Sequence, residues 1–162
     1  MNLTPLIKIS PEIKLVGKRL NMSFSKLQIQ KLWQSFMPRK KEIINTLNNN
    51  LYSVEIYQQS SFYRNFDPTL EFEKWATVEV SNFDAIPPEM ESLIIPAGKY
   101  AVFQYKGRDS EVSETYKYIL QDWLPISKYQ LDHRPHFAVM GEKYIKEHQD
   151  SEEELWFPIK DE

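Results

Sequence analysis

The chain has 162 residues, of which 20 are Lys or Arg and 23 Asp or Glu; it is 41% apolar, 27% charged, and carries a net charge of −3. That length and balance fit one soluble globular domain and argue against nucleic acid as a partner. The absence of cysteine excludes disulfides and thiolate chemistry and fits a reducing cytoplasm, and no apolar run reaches the roughly 18 residues that span a bilayer.

In chain order, residues 9–20 read as extended, with Gly17 marking a bulge or turn. Ser25-Lys26-Leu27-Gln28 has the form of a capping box, followed by the helical stripe Leu32, Trp33, Phe36 and Met37, which Pro38 breaks. Ile43, Ile44 and Leu47 suggest that a short helix resumes before the Asn48-Asn49-Asn50 turn. Residues 51–57 alternate as a strand, 58–70 read as a polar loop through Asp67-Pro68, and 72–80 as a second strand. A linker over 82–89 carries Pro87-Pro88. Beyond it, Leu93-Ile94-Ile95 opens a second unit with a strand over 98–105 and a turn at Gly107-Arg108-Asp109. Val112, Tyr116, Ile119, Leu120, Trp123 and Leu124 then form an amphipathic helix that Pro125 ends. Strands over 136–142 and 154–160 complete the chain, parted by an acidic turn over 147–153.

The second unit echoes the first. Glu73-Lys74-Trp75 returns as Glu154-Leu155-Trp156 and Gly17-Lys18 as Gly98-Lys99, both 81 positions on. Leu32 to Pro38 is echoed by Ile119 to Pro125. The chain therefore reads as a single α+β domain over 1–162 made of two β-α-β-β repeats, about 8–81 and 90–160. The expected arrangement is an antiparallel sheet with pseudo-two-fold symmetry, both helices on one face, and a central ligand cleft.

Strand parity selects the candidate site. Leu155, Phe157 and Ile159 are expected under the helices, which turns Glu154 and Trp156 the other way. Phe137 and Val139, with Val54 and Ile56, are assigned to the core, leaving His136, Ala138 and Met140, with Glu55 and Tyr57, on the cleft side. Trp75 joins them. The expected ligand-binding set is Glu55, Tyr57, Trp75, Ala138, Met140, Glu154 and Trp156. A carboxylate among aromatic faces suits a delocalised cation, each ring contributing roughly 0.5–2 kcal/mol.

The C-terminal runs Arg134-Pro135-His136-Phe137, Gly141-Glu142-Lys143-Tyr144 and Ser151 to Lys160 resemble the GyrI-like effector-binding family, whose relatives form the sensing domain of AraC-type and MerR-type multidrug regulators. Leu32 to Pro38 and Tyr52 to Tyr57 resemble its first-repeat motifs. The resemblance implies a duplicated fold around a central cleft and binding of hydrophobic, often cationic small molecules. It matches Glu154 and Trp156 to pocket-lining acidic and aromatic positions. The family usually carries a Glu after Arg-Pro-His-Phe, where this chain has Ala138. No helix-turn-helix segment is visible ahead of the first helix, so the sequence reads as a sensing domain alone.

The first functional expectation is thus non-enzymatic binding of a hydrophobic molecule by a ligand sensor or sequestering protein linked to transcription regulation. A second is hydrolysis of a strained electrophile with Glu154 as base, as some relatives perform. A third is interaction with a regulator protein, or with gyrase as in some relatives. No cofactor is expected. His133 and His136 are separated by Pro135 and lack further ligands, so no metal is expected either.

Overall fold

The chain is extended twice before its first helix, as β1 (Leu6–Ser10) and β2 (Ile13–Ser23), parted at Pro11. The computed structural model describes residues 3–162. β3 (Leu51–Ile56) and β4 (Glu71–Glu79) follow helix α1 (Ile29–Phe36). The pattern then recurs as β5 (Glu91–Ile95), β6 (Gly98–Lys106), α2 (Val112–Tyr118), a short β7 (Tyr129–Leu131), β8 (His136–Met140) and β9 (Glu152–Asp161).

The strands form an antiparallel sheet in the order β1-β6-β9-β8-β3-β4-β2-β5, with β7 added against β9. The first strand of each half crosses over: β1 pairs with β6, and β5 with β2. Exchanging β1, β2, β3 and β4 with β5, β6, β8 and β9 leaves this order unchanged, and β3 and β8 meet at its centre. Each half thus has one strand more before its helix than the sequence pattern suggests. These leading strands were missed because half of β1 is exposed apolar residues, Leu6, Ile7 and Ile9, on an edge with no alternation to read.

α1 packs Leu32 and Phe36 on Val16, Ala76 and Val78. The second helix is longer than α2 alone: a π turn over Ile119–Trp123 and a final turn α3 (Leu124–Ile126) carry it past Pro125, which sits in that turn's first positions. It packs Ile119, Leu120 and Leu124 on Ala101, Phe103, Leu155 and Phe157. Ala76, Ser53, Ala138, Leu155 and Phe103 lie directly across from one another in successive strands, so both helices cover the same face at its two ends.

The opposite face is also a core. Ile13, Leu15, Tyr52, Val54, Trp75, Ile95, Tyr100, Val102 and Phe137 form one buried cluster to which no helix among the described residues contributes. Such burial without a covering layer requires the sheet to curl upon itself.

Four local expectations fail for local reasons. Ser25 caps no helix: residues 23–26 close a tight turn through Lys26 N–H to the Ser23 carbonyl (3.0 Å), and α1 starts at Ile29. Pro38 opens a 3-10 turn over Met37–Glu42 instead of ending the helical path, since its missing N–H costs nothing in a first turn. Residues 43–50 then form no helix; Ile43 is buried while Ile44 and Leu47 are exposed. Gly17 is neither bulge nor turn: pairing runs unbroken through it, and a Cβ there would lie 1.9 Å from the Ala76 carbonyl oxygen.

Candidate functional site

Between the helices, the helix-side face is floored by the two central strands, β3 and β8. Their inward residues are short or polar: Ser53 opposite Ala138, and Glu55 opposite His136. Beyond them Ala76 lies across from Ser53 and Lys74 across from Glu55, while Met140 faces Leu51. The result is a trough of small side chains with a charged row at one end. Glu153 enters the same face from the start of β9, opposite Tyr105. From strand spacings, its backbone lies roughly 16 Å from that of Glu55.

Aromatic rings roof this trough. Tyr57, one residue past β3, stacks on Phe62 from the 57–70 segment with ring centroids 3.6 Å apart and planes 8° apart. The His136 ring meets Tyr57 edge-on at 5.1 Å and Phe62 and Phe157 at 5.6 Å each. Tyr116 of α2 packs against Phe157. Beneath this cover Ser53, Ala138 and Met140 are buried. The 57–70 segment thus forms part of this cover. That segment is held to its surroundings by few bonds, among them Ser25 N–H to the Pro68 carbonyl and the Gln58 amide to the Glu71 carbonyl, both 2.9 Å.

The charged row is internally paired. Lys74 Nζ donates to Glu55 Oε1 at 2.6 Å, with side chains only 8% and 13% exposed. Burial pushes the Tyr57 and Tyr116 phenols well above their ordinary range, and the Glu55 charge adds to it in both. Both remain neutral donors. Burial also holds His136 neutral, down to about 3, aided by the Arg134 charge. Glu153 rises to about 7, first through burial, then through Asp109 and Glu55, with Lys74 opposing.

The sheet divides the seven expected residues. Glu55, Tyr57, Ala138 and Met140 lie in the trough. Trp75, Glu154 and Trp156 lie on the opposite face, where Trp75 is buried beside Val54, and Trp156 stacks on Phe137 at 5.0 Å. The two indoles stand in the helix-free core, so the expected joint pocket of both tryptophans with Glu55 does not form. The repeated Glu-x-Trp is instead a strand-surface unit: each indole Nε1 donates 3.1 Å to the glutamate two residues before it. A cation lies over each ring, Arg19 at 5.9 Å from Trp75 and Lys8 at 5.5 Å from Trp156. Parity misled because it assumed a single buried face. In β9 the most apolar parity faces the helices; in β3 and β8 it faces away from them.

Register also refines the echo. Trp75 pairs with Arg19 and Val54, and Trp156 with Val102 and Phe137, so β2 matches β6, and β3 matches β8, at an offset of 83. Glu55 and Ala138 therefore occupy matching positions, whereas Gly17 and Gly98 do not. Gly98 has its own reason: a Cβ there would meet the Arg134 guanidinium at 2.5 Å. That arginine lies over Tyr100 at 4.6 Å and donates to the carbonyls of Lys99 and Ile159, a structural role.

The residues that sequence reasoning missed are Lys74, Glu153, Phe62 and Tyr116. Lys74 was legible as the opposite parity to Trp75. Glu153 was hidden in an acidic run read as an exposed turn, although β9 starts at Glu152. Two surface hollows, about 210 and 610 Å³, lie on the outer flanks of α1 and of the start of α2, and none of the seven residues lines either. Among the described residues no cluster of three or more His, Cys, Asp or Glu suits a metal, and no helix is long and apolar enough to cross a membrane.

An antiparallel sheet with two helices on one face and a small-residue trough between them defines a ligand-binding α+β domain. The chain belongs to the GyrI-like family: the GyrI-like small molecule binding domain matches residues 4–160. It is 30% identical over 109 residues, 67% of its length, to the transcriptional regulator BrlR of Pseudomonas aeruginosa, of which the match covers 37%. Its fold is similar to that of SAV2435 bound to tetraphenylphosphonium (TM-score 0.70, 16% identity, 99% of this chain and 94% of the other). It is also similar to the EcmrR C-terminal domain (TM-score 0.69, 18% identity, all of both chains).

Proposed function

We propose that the protein binds a bulky hydrophobic molecule in the trough over Ser53 and Ala138 and acts, without chemistry, as a ligand sensor or sequestering domain linked to transcription regulation in the cytoplasm. One observation carries this reading: the two central strands place their smallest side chains between two helices and beneath an aromatic cover. The similarity to BrlR and to a tetraphenylphosphonium-bound protein supports it. For a cationic ligand the acid to be met is Glu153, because Glu55 is already paired with Lys74 and Glu154 faces away. A regulator protein that reads the position of the 57–70 segment is the partner this reading implies.

Calorimetric titration with cationic, neutral and anionic triphenyl compounds tests it. Ala138→Phe fills the floor and should lower the affinity of every binder at least tenfold, while Trp156→Phe on the opposite face should leave it within twofold. Equal affinities in wild type and Ala138→Phe would remove the trough from consideration.

A second reading is hydrolysis of an electrophile, favoured by a Glu153 carboxyl raised to about 7 inside a covered cleft, where it suits general base work. Turnover of an aryl epoxide that disappears in Glu153→Gln would support it; an inert wild type would dispose of it.

A further inference from the structure

The charged end of the trough contains donors that no protein acceptor takes up. Lys74 Nζ spends one N–H on Glu55 Oε1, leaving two. Tyr52, Tyr100, Tyr105 and Tyr144 each donate their hydroxyl to a protein oxygen. Tyr57 and Tyr116 make no such bond among the described residues; Tyr57 lies two residues past Glu55 with its ring against His136, and Tyr116 packs on Phe157, which also meets His136. Opposite Glu55 stands His136, buried and neutral. A protein ammonium already holds one oxygen of the Glu55 carboxylate, and the second acid of this face, Glu153, lies near enough to feel both charges but is raised by burial toward its neutral form.

We propose that Lys74 is a built-in cation of the binding site, so that the ligand seated in the trough presents an oxygen acceptor, a carboxylate or a strongly polar carbonyl or phosphoryl group, to Lys74 Nζ. This rests on the trough being the ligand site. Lys74 already compensates Glu55, so a free cation gains little there and meets a buried ammonium; expelling Lys74 would strand that ammonium without a partner, and isolated charge in such surroundings is strongly disfavoured. An acceptor oxygen faces no such barrier. It adds to the existing pair, takes the unused N–H groups, and lies within the field of two phenol donors, where a charge-assisted bond to an ammonium is about twice as strong as a neutral one. The position matching Glu55 in the second half is Ala138, so no second acid compensates Lys74 on the floor itself.

The test compares three probes of nearly equal bulk on the whole protein: triphenylacetate, triphenylphosphine oxide and tetraphenylphosphonium, each titrated into wild type, Lys74→Arg and Lys74→Met. Lys74→Met should weaken triphenylacetate at least tenfold and the oxide about threefold or more, and leave tetraphenylphosphonium unchanged or tighter. Lys74→Arg should keep the wild-type ranking. If Lys74→Met fails to fold, Lys74→Met/Glu55→Met removes both charges together and should show the same loss of preference for the acceptor probes. An unchanged ranking in the folded methionine variant would overturn the role of Lys74 while leaving the trough as the site. No binding of any probe to wild type would overturn the trough reading itself, and this proposal with it.

Discussion

The two faces of the sheet are both buried, and they are built for different purposes. The helix-free face closes on itself through hydrocarbon and rings: Leu15, Val54, Trp75, Ile95, Tyr100 and Phe137 touch one another in a single cluster. The helix face has apolar cores only at its two ends, under α1 and α2, and its middle is given over to Ser53, Glu55, Lys74, His136 and Ala138. A sheet that gains its cohesion on one side can leave the centre of the other poorly packed and polar, which is what a ligand trough requires. Breaking the first face should cost stability, whereas altering the second should change binding and its charge dependence.

The largest effect belongs to Trp75→Ala. Truncating an indole that is 4% exposed leaves a cavity in the self-closing core, and about 3–5 kcal/mol of unfolding free energy should be lost, read from the urea midpoint. Second is Glu55→Gln. It strands Lys74 in the trough, and removing one partner of a buried pair costs about 3 kcal/mol. Lys74→Met/Glu55→Met should recover most of that loss, because breaking the pair is costlier than replacing it. A double variant no more stable than Glu55→Gln would show the pair to be inert.

Third is a pH signature that belongs to the helix face alone. Glu153 has a folded pKa raised to about 7, so the fold favours its protonated form. Its contribution is fully present below the usual carboxylate range and is lost as pH rises from about 4.5 through 7, on the order of 3 kcal/mol at 1.36 kcal/mol per unit. His136 runs the other way. Its folded pKa is depressed to about 3, so its contribution is present above 6.5 and is lost as pH falls from there toward 3. In wild type the two oppose each other between about pH 4.5 and 6.5. Glu153→Gln should remove one of them, so that stability climbs with pH across that window. Identical pH profiles for wild type and variant would place Glu153 outside the trough.

The same comparison shows what the sequence could reveal. The helical stripes, the two polar connections and the alternation in β3, β4, β8 and β9 were legible because each of those elements buries one periodic face. Parity rightly turned Glu154 and Trp156 away from the helices, but it assigned Glu55, Tyr57, Ala138 and Met140 to that same side, and register puts these four on the helix face, since parity says which residues share a face and not which of two buried faces it is. Lys74 was passed over because a charged residue in a strand is ordinarily solvated, although its parity opposite Trp75 was legible, and Glu153 because its acidic run read as an exposed turn; cross-strand register shows that both lie on the helix face. The pairing of β1 with β6 and of β5 with β2 leaves no trace in local pattern, as it joins residues 74 to 96 positions apart.

The smallest effect separates the faces most cleanly. Glu154 was the acid singled out by its repeat with Glu73, and the structure gives each the same task, accepting a 3.1 Å bond from the indole two residues on. That bond is partly exposed, and the Gln104 amide is a second, looser partner of Glu154 at 3.2 Å. Glu154→Gln keeps an acceptor oxygen in place and gives up only the charge, so the unfolding free energy should fall by about 0.5 kcal/mol or less. Because Glu154 stands behind the trough floor, affinity for any triphenyl probe should stay within twofold, while Glu153→Gln, one residue away on the same strand, should change it severalfold. Adjacent residues of one strand point to opposite faces. A binding change in Glu154→Gln as large as that in Glu153→Gln would mean that the ligand is held on the tryptophan side and that the trough between the helices is packing alone.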